Sequence, residues 1–93
     1  MSIPIEVQIK IAGLRSSLDV ISTQRYVYLE QINVYKDEYG SDDAKVEIKL
    51  LERSALICED KMCSLIERIA HLLDDSARNT AIDLGYSDLA RRL

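Results

Sequence analysis

Apolar residues recur along this chain at alternating steps of three and four positions, in two runs that a short polar segment separates. The first run extends from Val7 to Tyr39 and the second from Ala44 to Leu72. Such heptad spacing places the apolar side chains on one narrow face of an α-helix, so each run predicts a helix that packs against another helix. The positions are Val7, Ile11, Leu14, Leu18, Ile21, Tyr28, Ile32, Tyr35 and Tyr39, and then Ala44, Ile48, Leu51, Ala55, Cys58, Met62, Leu65, Ile69 and Leu72.

The polar segment between the two runs, residues 40–43, has the composition of a helix end followed by a helix start. Gly40 can adopt the left-handed conformation that ends many helices, and Ser41 is a candidate N-cap for the second helix. Asp42 and Asp43 would favour the positive end of that helix. The sequence therefore predicts an all-α fold, a long antiparallel helical hairpin with helix 4–39, turn 40–43 and helix 44–73.

The N-terminal segment allows two interpretations. Isoleucine and valine alternate with polar residues between Ile3 and Ile11, which is typical of a β-strand. The same segment continues the heptad pattern of apolar residues, which we call the main stripe of the helix. In addition, Ser2 or Ile3 ahead of Pro4 resembles a helix start with proline in the first turn. We predict a helix that begins near Pro4, and an intermolecular strand remains the alternative.

The last part of the chain predicts a short helical segment over 76–92. Asp74, Asp75 and Ser76 offer caps for its start, and Gly85 interrupts it. Its apolar residues could cover part of the hairpin, so we expect a single helical domain over 1–93. These apolar residues are Ala77, Ala81, Leu84, Leu89 and Leu93.

One residue of the stripe is charged. Arg25 occupies a stripe position opposite Cys58, where its aliphatic part can pack while its guanidinium reaches Glu59 or Asp60. A polar residue in such a contact can fix the register of two helices. We therefore interpret Arg25 as a structural residue of the helix contact rather than as a ligand-binding group.

Further apolar residues lie outside the main stripes. A small domain buries only part of its surface, so these residues indicate a face that a second copy of the chain covers, completing a four-helix bundle. On the first helix Val20, Val27 and Val34 repeat every seven residues with Tyr26 beside them, and the second helix carries Leu50, Leu56, Ile57, Ile66 and Leu73. We predict that the partner-binding residues are Val20, Tyr26, Val27, Val34, Leu50 and Ile57.

Composition narrows the class of partner and the compartment. The 93 residues carry a net charge of −4, which argues against binding to nucleic acid or to an anionic membrane and permits a basic or helical protein partner. Cys58 and Cys63 lie five positions apart on one helix, about 7.5 Å along its axis, so they cannot form a disulfide with each other. Two reduced thiols suggest the cytoplasm. Because neither a signal peptide nor a membrane span is visible, we expect a soluble cytoplasmic protein or one exported by a route without a cleaved signal.

The sequence offers little for catalysis. Glu67, His71, Asp74 and Asp75 share one helix face, but their spacing suits a solvated ion-pair surface better than a metal site. The sequence shows neither a nucleophile paired with a base nor a glycine-rich phosphate loop. We therefore expect no catalytic, cofactor-binding or metal-binding residues, and a non-enzymatic protein–protein interaction module of the adaptor, secretion chaperone or inhibitor type.

Two short segments resemble known families. The string Ala81-Ile82-Asp83-Leu84-Gly85-Tyr86-Ser87-Asp88-Leu89 resembles the second helix-turn-helix of AraC-type regulators, which implies a small DNA-binding transcriptional regulator that uses residues 77–93. The string Leu14-Arg15-Ser16-Ser17-Leu18-Asp19 resembles the start of the small all-helical chorismate mutases, which implies a mutase-like enzyme as a more remote alternative.

Overall fold

A computed structural model describes residues 3–93 and contains two long helices that pack against each other along their length. Helix α1 is Ile5–Asp43 and helix α2 is Lys45–Leu73; helix α3, Ala77–Asp83, and a 3-10 helix, Ser87–Arg92, follow. No strand occurs within residues 3–93. The predicted fold class, an all-α helical hairpin with a short C-terminal helical segment, is confirmed. The molecule measures 56 × 22 × 16 Å.

The first helix starts directly after the only proline of the chain. The amides of Val7 and Gln8 donate to the carbonyl of Pro4 at 3.1 and 3.0 Å, and the Gln8 side chain donates to the carbonyl of Ile3 at 2.7 Å. The residues of the alternating pattern from Ile5 onward are helical, because the heptad stripe they share packs against α2. Ser2, the other candidate for the helix start, lies outside the described residues.

The chain reverses at Gly40. This residue interrupts α1 with φ 76° and ψ 160°, so its φ is positive as glycine allows, but its conformation is not the left-handed helical one that we predicted. Residues 41–43 form one more helical turn, and Ala44 precedes α2 without any side-chain cap. The prediction of Ser41 as the N-cap is therefore wrong, because that extra turn places Ser41 four residues before the first residue of α2. The left-handed conformation occurs instead at Asp74, which ends α2 with φ 54° and ψ 46°.

The buried side chains form two clusters along the contact between the helices. The cluster near the turn contains Ile32, Ala44 and Ile48, with Tyr35 and Leu51 packed against it. The larger cluster, at the open end of the hairpin, combines both helices with the C-terminal segment. Its buried members are Leu18, Met62, Cys63, Ile66, Ile69, Ala81 and Leu89. Tyr39, a stripe residue, is largely exposed because the chain turns directly after it.

The tail, which we define as residues 74–93, folds back on one side of the hairpin. It covers the half that lies away from the turn at Gly40. The Ser76 hydroxyl accepts a hydrogen bond from the Asn79 amide at 3.1 Å, so Ser76 caps α3 as its position suggests. Gly85, with φ 90°, allows the turn into the 3-10 helix, where Leu89 is 1% exposed. The tail thereby covers Ile66, one of the apolar residues outside the main stripe of α2.

Candidate interaction surface

Five large apolar side chains remain exposed on one face of the hairpin. Val20, Val27 and Val34 lie at steps of seven on α1, so they point in nearly the same direction. Leu50 and Ile57 have the same spacing on α2, and Val34 and Leu50 line the same shallow groove between the helices. We call these five residues, which are between 46% and 60% exposed, the valine face.

The valine face and the tail lie on opposite sides of the hairpin. The tail contacts α1 through Asp19, whose carboxylate accepts a hydrogen bond from the Tyr86 hydroxyl at 3.4 Å. Tyr26 lies seven residues after Asp19 and therefore points to the tail's side. Val27 is rotated by about 100° from Tyr26 about the helix axis and lines a groove with Gln31 on the other side.

Tyr26 is therefore not part of the valine face, although it is 63% exposed. Tyr26 is beside the three valines only in the sequence, where it is adjacent to Val27. Of the six predicted contact residues, the structure brings five together and leaves Tyr26 on the opposite flank of α1.

The centre of the valine face carries almost no charge. Lys61 is the one charged residue among the positions of α1 and α2 that make up this part of the face. Depletion of charged residues is characteristic of the buried centre of protein interfaces. The positions are Gly13, Ser17, Val20, Gln24, Val27, Gln31 and Val34 on α1, and Leu50, Ser54, Ile57, Lys61 and Ser64 on α2.

The two ends of this face differ in charge. At the open end of the hairpin, Lys10, Arg68 and His71 line a groove of about 810 Å³ together with Glu67. Its lining includes three small residues, Gly13, Ser17 and Ser64. At the turn end, Glu47 lines the groove beside Val34 and Leu50, and Glu38 follows Gln31 at the spacing of one heptad. The open end thus carries basic residues beside Glu67, whereas the turn end is acidic.

Ion pairs hold the tail against the other side of the hairpin, and Arg25 lies at their centre. Its Nε and Nη2 donate to Glu59 Oε1 at 3.1 and 2.7 Å, and Nη2 lies 3.0 Å from Asp88 Oδ2. Arg92 of the tail lies 3.5 Å from Glu59 and also donates to Asp60; this last hydrogen bond raises the pKa of the Arg92 guanidinium. Arg25 thus joins α1, α2 and the tail.

The contact with Glu59 is one of the two that the position of Arg25 suggested. The contact with Asp88 was missed, because nothing in the sequence showed that the tail folds back over this part of α1. The pairing of Asp88 with a basic residue 63 positions away has no local sequence signal.

The groups with reactive or metal-binding potential are the two cysteines and the acidic and histidine residues of α2 and its C-terminal end. Within residues 3–93 the structure contains no group of three or more His, Cys, Asp or Glu side chains arranged to hold a metal ion. Both cysteines are buried and free, and burial raises the pKa of the Cys63 thiol. Of the acidic and histidine residues considered as ligands, Glu67 and His71 line the open-end groove, whereas Asp74 ends α2.

The two segments that resemble known families both contribute side chains to the buried core. In the string that resembles a DNA-binding turn, α3 has seven residues and is followed by a 3-10 helix whose Leu89 and Ala90 are buried, and Arg92 is engaged with α2. In the string that resembles a mutase, Leu18 belongs to the core and Arg15 is exposed.

No protein-family model matches this chain, and comparisons with curated proteins and with solved structures give no significant match either. Among residues 3–93, none of the helices has the length and apolar character that crossing a bilayer requires.

Proposed function

We propose that this chain is a non-enzymatic interaction module that binds protein helices on its valine face, in the manner of an adaptor, a secretion chaperone or an inhibitor. The observation that carries the proposal is the position of five large, half-exposed apolar side chains on one face whose centre is nearly uncharged. A monomeric protein seldom exposes many large apolar side chains on one face unless that face serves as an interaction site. Two unbonded cysteines suit a reducing compartment, so we propose that the module acts in the cytoplasm.

The shape of the face suggests the kind of partner. From Gly13 to Val34 it extends about 32 Å along α1, at 1.5 Å per residue. The face is shallow and runs parallel to both helices, so its natural complement is one or more helices with an apolar stripe. An elongated helical partner would bury the side chains of Val20, Val27 and Val34 together.

Site-specific photocrosslinking tests the proposal in cells that produce the protein. A photoreactive amino acid is placed at Val27 or Val34 and, as matched controls, at the neighbouring Tyr26 or Asn33, which point to the opposite flank. We expect discrete protein adducts from positions 27 and 34, and their loss when Leu50→Asp is introduced on the same face. Equal adduct formation from all four positions, or none from 27 and 34, would contradict the proposal.

A further inference from the structure

We propose that the partner on the valine face is a second copy of this chain, packed antiparallel to the first. The two-fold axis lies between the two copies, perpendicular to the helices, at the level of Val27 and Ile57. The two hairpins then form a four-helix bundle with their turns at opposite ends and their tails on the outside. This inference rests on the proposed use of the valine face and specifies its occupant.

The accessible surface of the single chain is larger than that of a compact monomer of its mass. The chain exposes 6586 Å², whereas a folded monomer of 10.6 kDa is expected to expose about 5,500 Å². The excess arises because the chain is thin: the hairpin is a single layer of two helices, and the shortest dimension of the whole chain, tail included, is 16 Å. A second layer of helices on the valine face would remove a large part of this excess.

The area of the face matches the requirement of a stable dimer. A face about 32 Å long and about 20 Å wide covers about 650 Å² on each copy, or about 1,300 Å² in total. Specific protein interfaces bury between about 1,200 and 2,000 Å². The valine face is therefore large enough for a second copy without any contribution from the tail.

The spacing of the valines is self-complementary. A two-fold axis at Val27 places it beside Val27 of the second copy and places Val20 beside the second copy's Val34, since both lie seven residues from the centre. On α2, Ile57 similarly lies beside Ile57 of the second copy. Because the central positions are nearly uncharged, this arrangement buries apolar groups on both sides and brings no large group of like charges together.

The charges at the ends of the face select the antiparallel arrangement. Glu67 and Arg68 lie ten and eleven residues from Ile57 in one direction, and Glu47 lies ten residues from it in the other. An antiparallel copy therefore brings this neighbouring pair over Glu47, where Arg68 supplies the opposite charge. Lys10 likewise comes over the acidic turn that contains Asp42 and Asp43. A copy with its turn at the same end would place acidic residues over acidic residues and basic over basic, which is unfavourable.

Two measurements on the purified full-length chain test this inference. Light scattering coupled to size-exclusion chromatography should give twice the mass of 10.6 kDa. Val27→Asp should weaken the dimer about 100-fold or more, because each copy loses a buried valine and two carboxylates meet at the axis. Tyr26→Asp, its matched control on the opposite flank, should leave the mass unchanged.

Crosslinking by a short bis-maleimide tests the register. Val27→Cys should crosslink to itself, and Val20→Cys should not, since its two copies lie about 21 Å apart. A mixture of Val20→Cys and Val34→Cys chains should crosslink to each other. The unmodified chain, whose two cysteines are buried, provides the background.

The outcomes separate this inference from the proposed function. A monomer at all concentrations, together with photocrosslinks from position 27 to a different protein, would overturn the second copy as partner and leave the proposed function intact. A dimer in which Val27→Cys links to Ile57→Cys rather than to itself would overturn the antiparallel arrangement. A monomer that gives no photocrosslinks from the valine face would overturn both.

Discussion

Replacing Leu89 with alanine tests whether the tail is an integral part of the fold. The Leu89 side chain is 1% exposed and belongs to the same buried cluster as Leu18, Met62 and Ile66. The cluster therefore includes side chains of α1, α2 and the tail. Truncation at position 89 would leave a cavity between the tail and the hairpin.

The expected cost follows from this burial. A fully buried Leu→Ala substitution destabilises a protein by about 2–5 kcal/mol, through lost transfer free energy and the cavity that remains. We expect about 3 kcal/mol for Leu89→Ala, a large fraction of the total stability of a domain of this size. Leu56→Ala, at a residue that is 53% exposed, should cost about 1 kcal/mol or less.

Urea denaturation followed by circular dichroism measures the difference. With a slope of about 1.5 kcal/mol per molar urea, Leu89→Ala should lower the midpoint by about 2 M and Leu56→Ala by less than about 0.7 M. Both variants are compared at the same chain concentration, because any self-association adds to the apparent stability. Equal midpoints for the two variants would refute the reasoning, since they would show that the tail does not contribute to the core.

Three further predictions concern single residues. The Thr80 hydroxyl is buried without a hydrogen-bond partner, so Thr80→Val should raise the free energy of unfolding by about 1 kcal/mol, and a loss of stability in the urea titration would contradict this. Gly40→Ala should lower it by about 1–2 kcal/mol, because φ is 76° while the space for a Cβ is open; an unchanged midpoint would show that the turn has another conformation. Burial raises the pKa of Cys63 above its ordinary value of 9.0, so the unfolded thiol ionises first and stability should fall as the pH rises above that value. Thermal unfolding at a series of alkaline pH values checks this, and Cys63→Ala should reduce the fall.

The hairpin could be predicted because its determinants are local. The spacing of apolar residues defines the contact face of each helix, and Gly40 is the one glycine between the two runs. The same periodicity decided between helix and strand at the N-terminus, where the alternation of isoleucines alone would have favoured a strand. The residue before α2 could not be predicted in this way, because an additional helical turn after Gly40 depends on the geometry of the reversal and not on the capping preference of Ser41.

The surface was predictable only in part. The exposure of Val20, Val27 and Val34 follows from their spacing, but the side that the tail covers depends on long-range contacts such as the ion pair between Arg25 and Asp88. Unless it is known which side the tail covers, the apolar residues beside the main stripe cannot be divided into covered and exposed ones. Tyr26 shows the consequence, since its adjacency to Val27 in the chain says nothing about the face it occupies.

The two sides of the hairpin differ in the charged residues at their centres, and this difference explains why the tail covers one of them. The tail's side carries the charged partners that the tail requires, with Glu59 and Asp60 placed to receive Arg92 and with Arg25 placed to receive Asp88. The valine face has no comparable charges at its centre, so a tail bound there would leave its own Asp88 and Arg92 without partners, at a cost in desolvation. The proposed second copy would instead offer the apolar residues of the valine face a surface that is equally uncharged. The same charge pattern therefore directs the tail to one side and leaves the apolar side chains of the valine face exposed, as the proposed second copy requires.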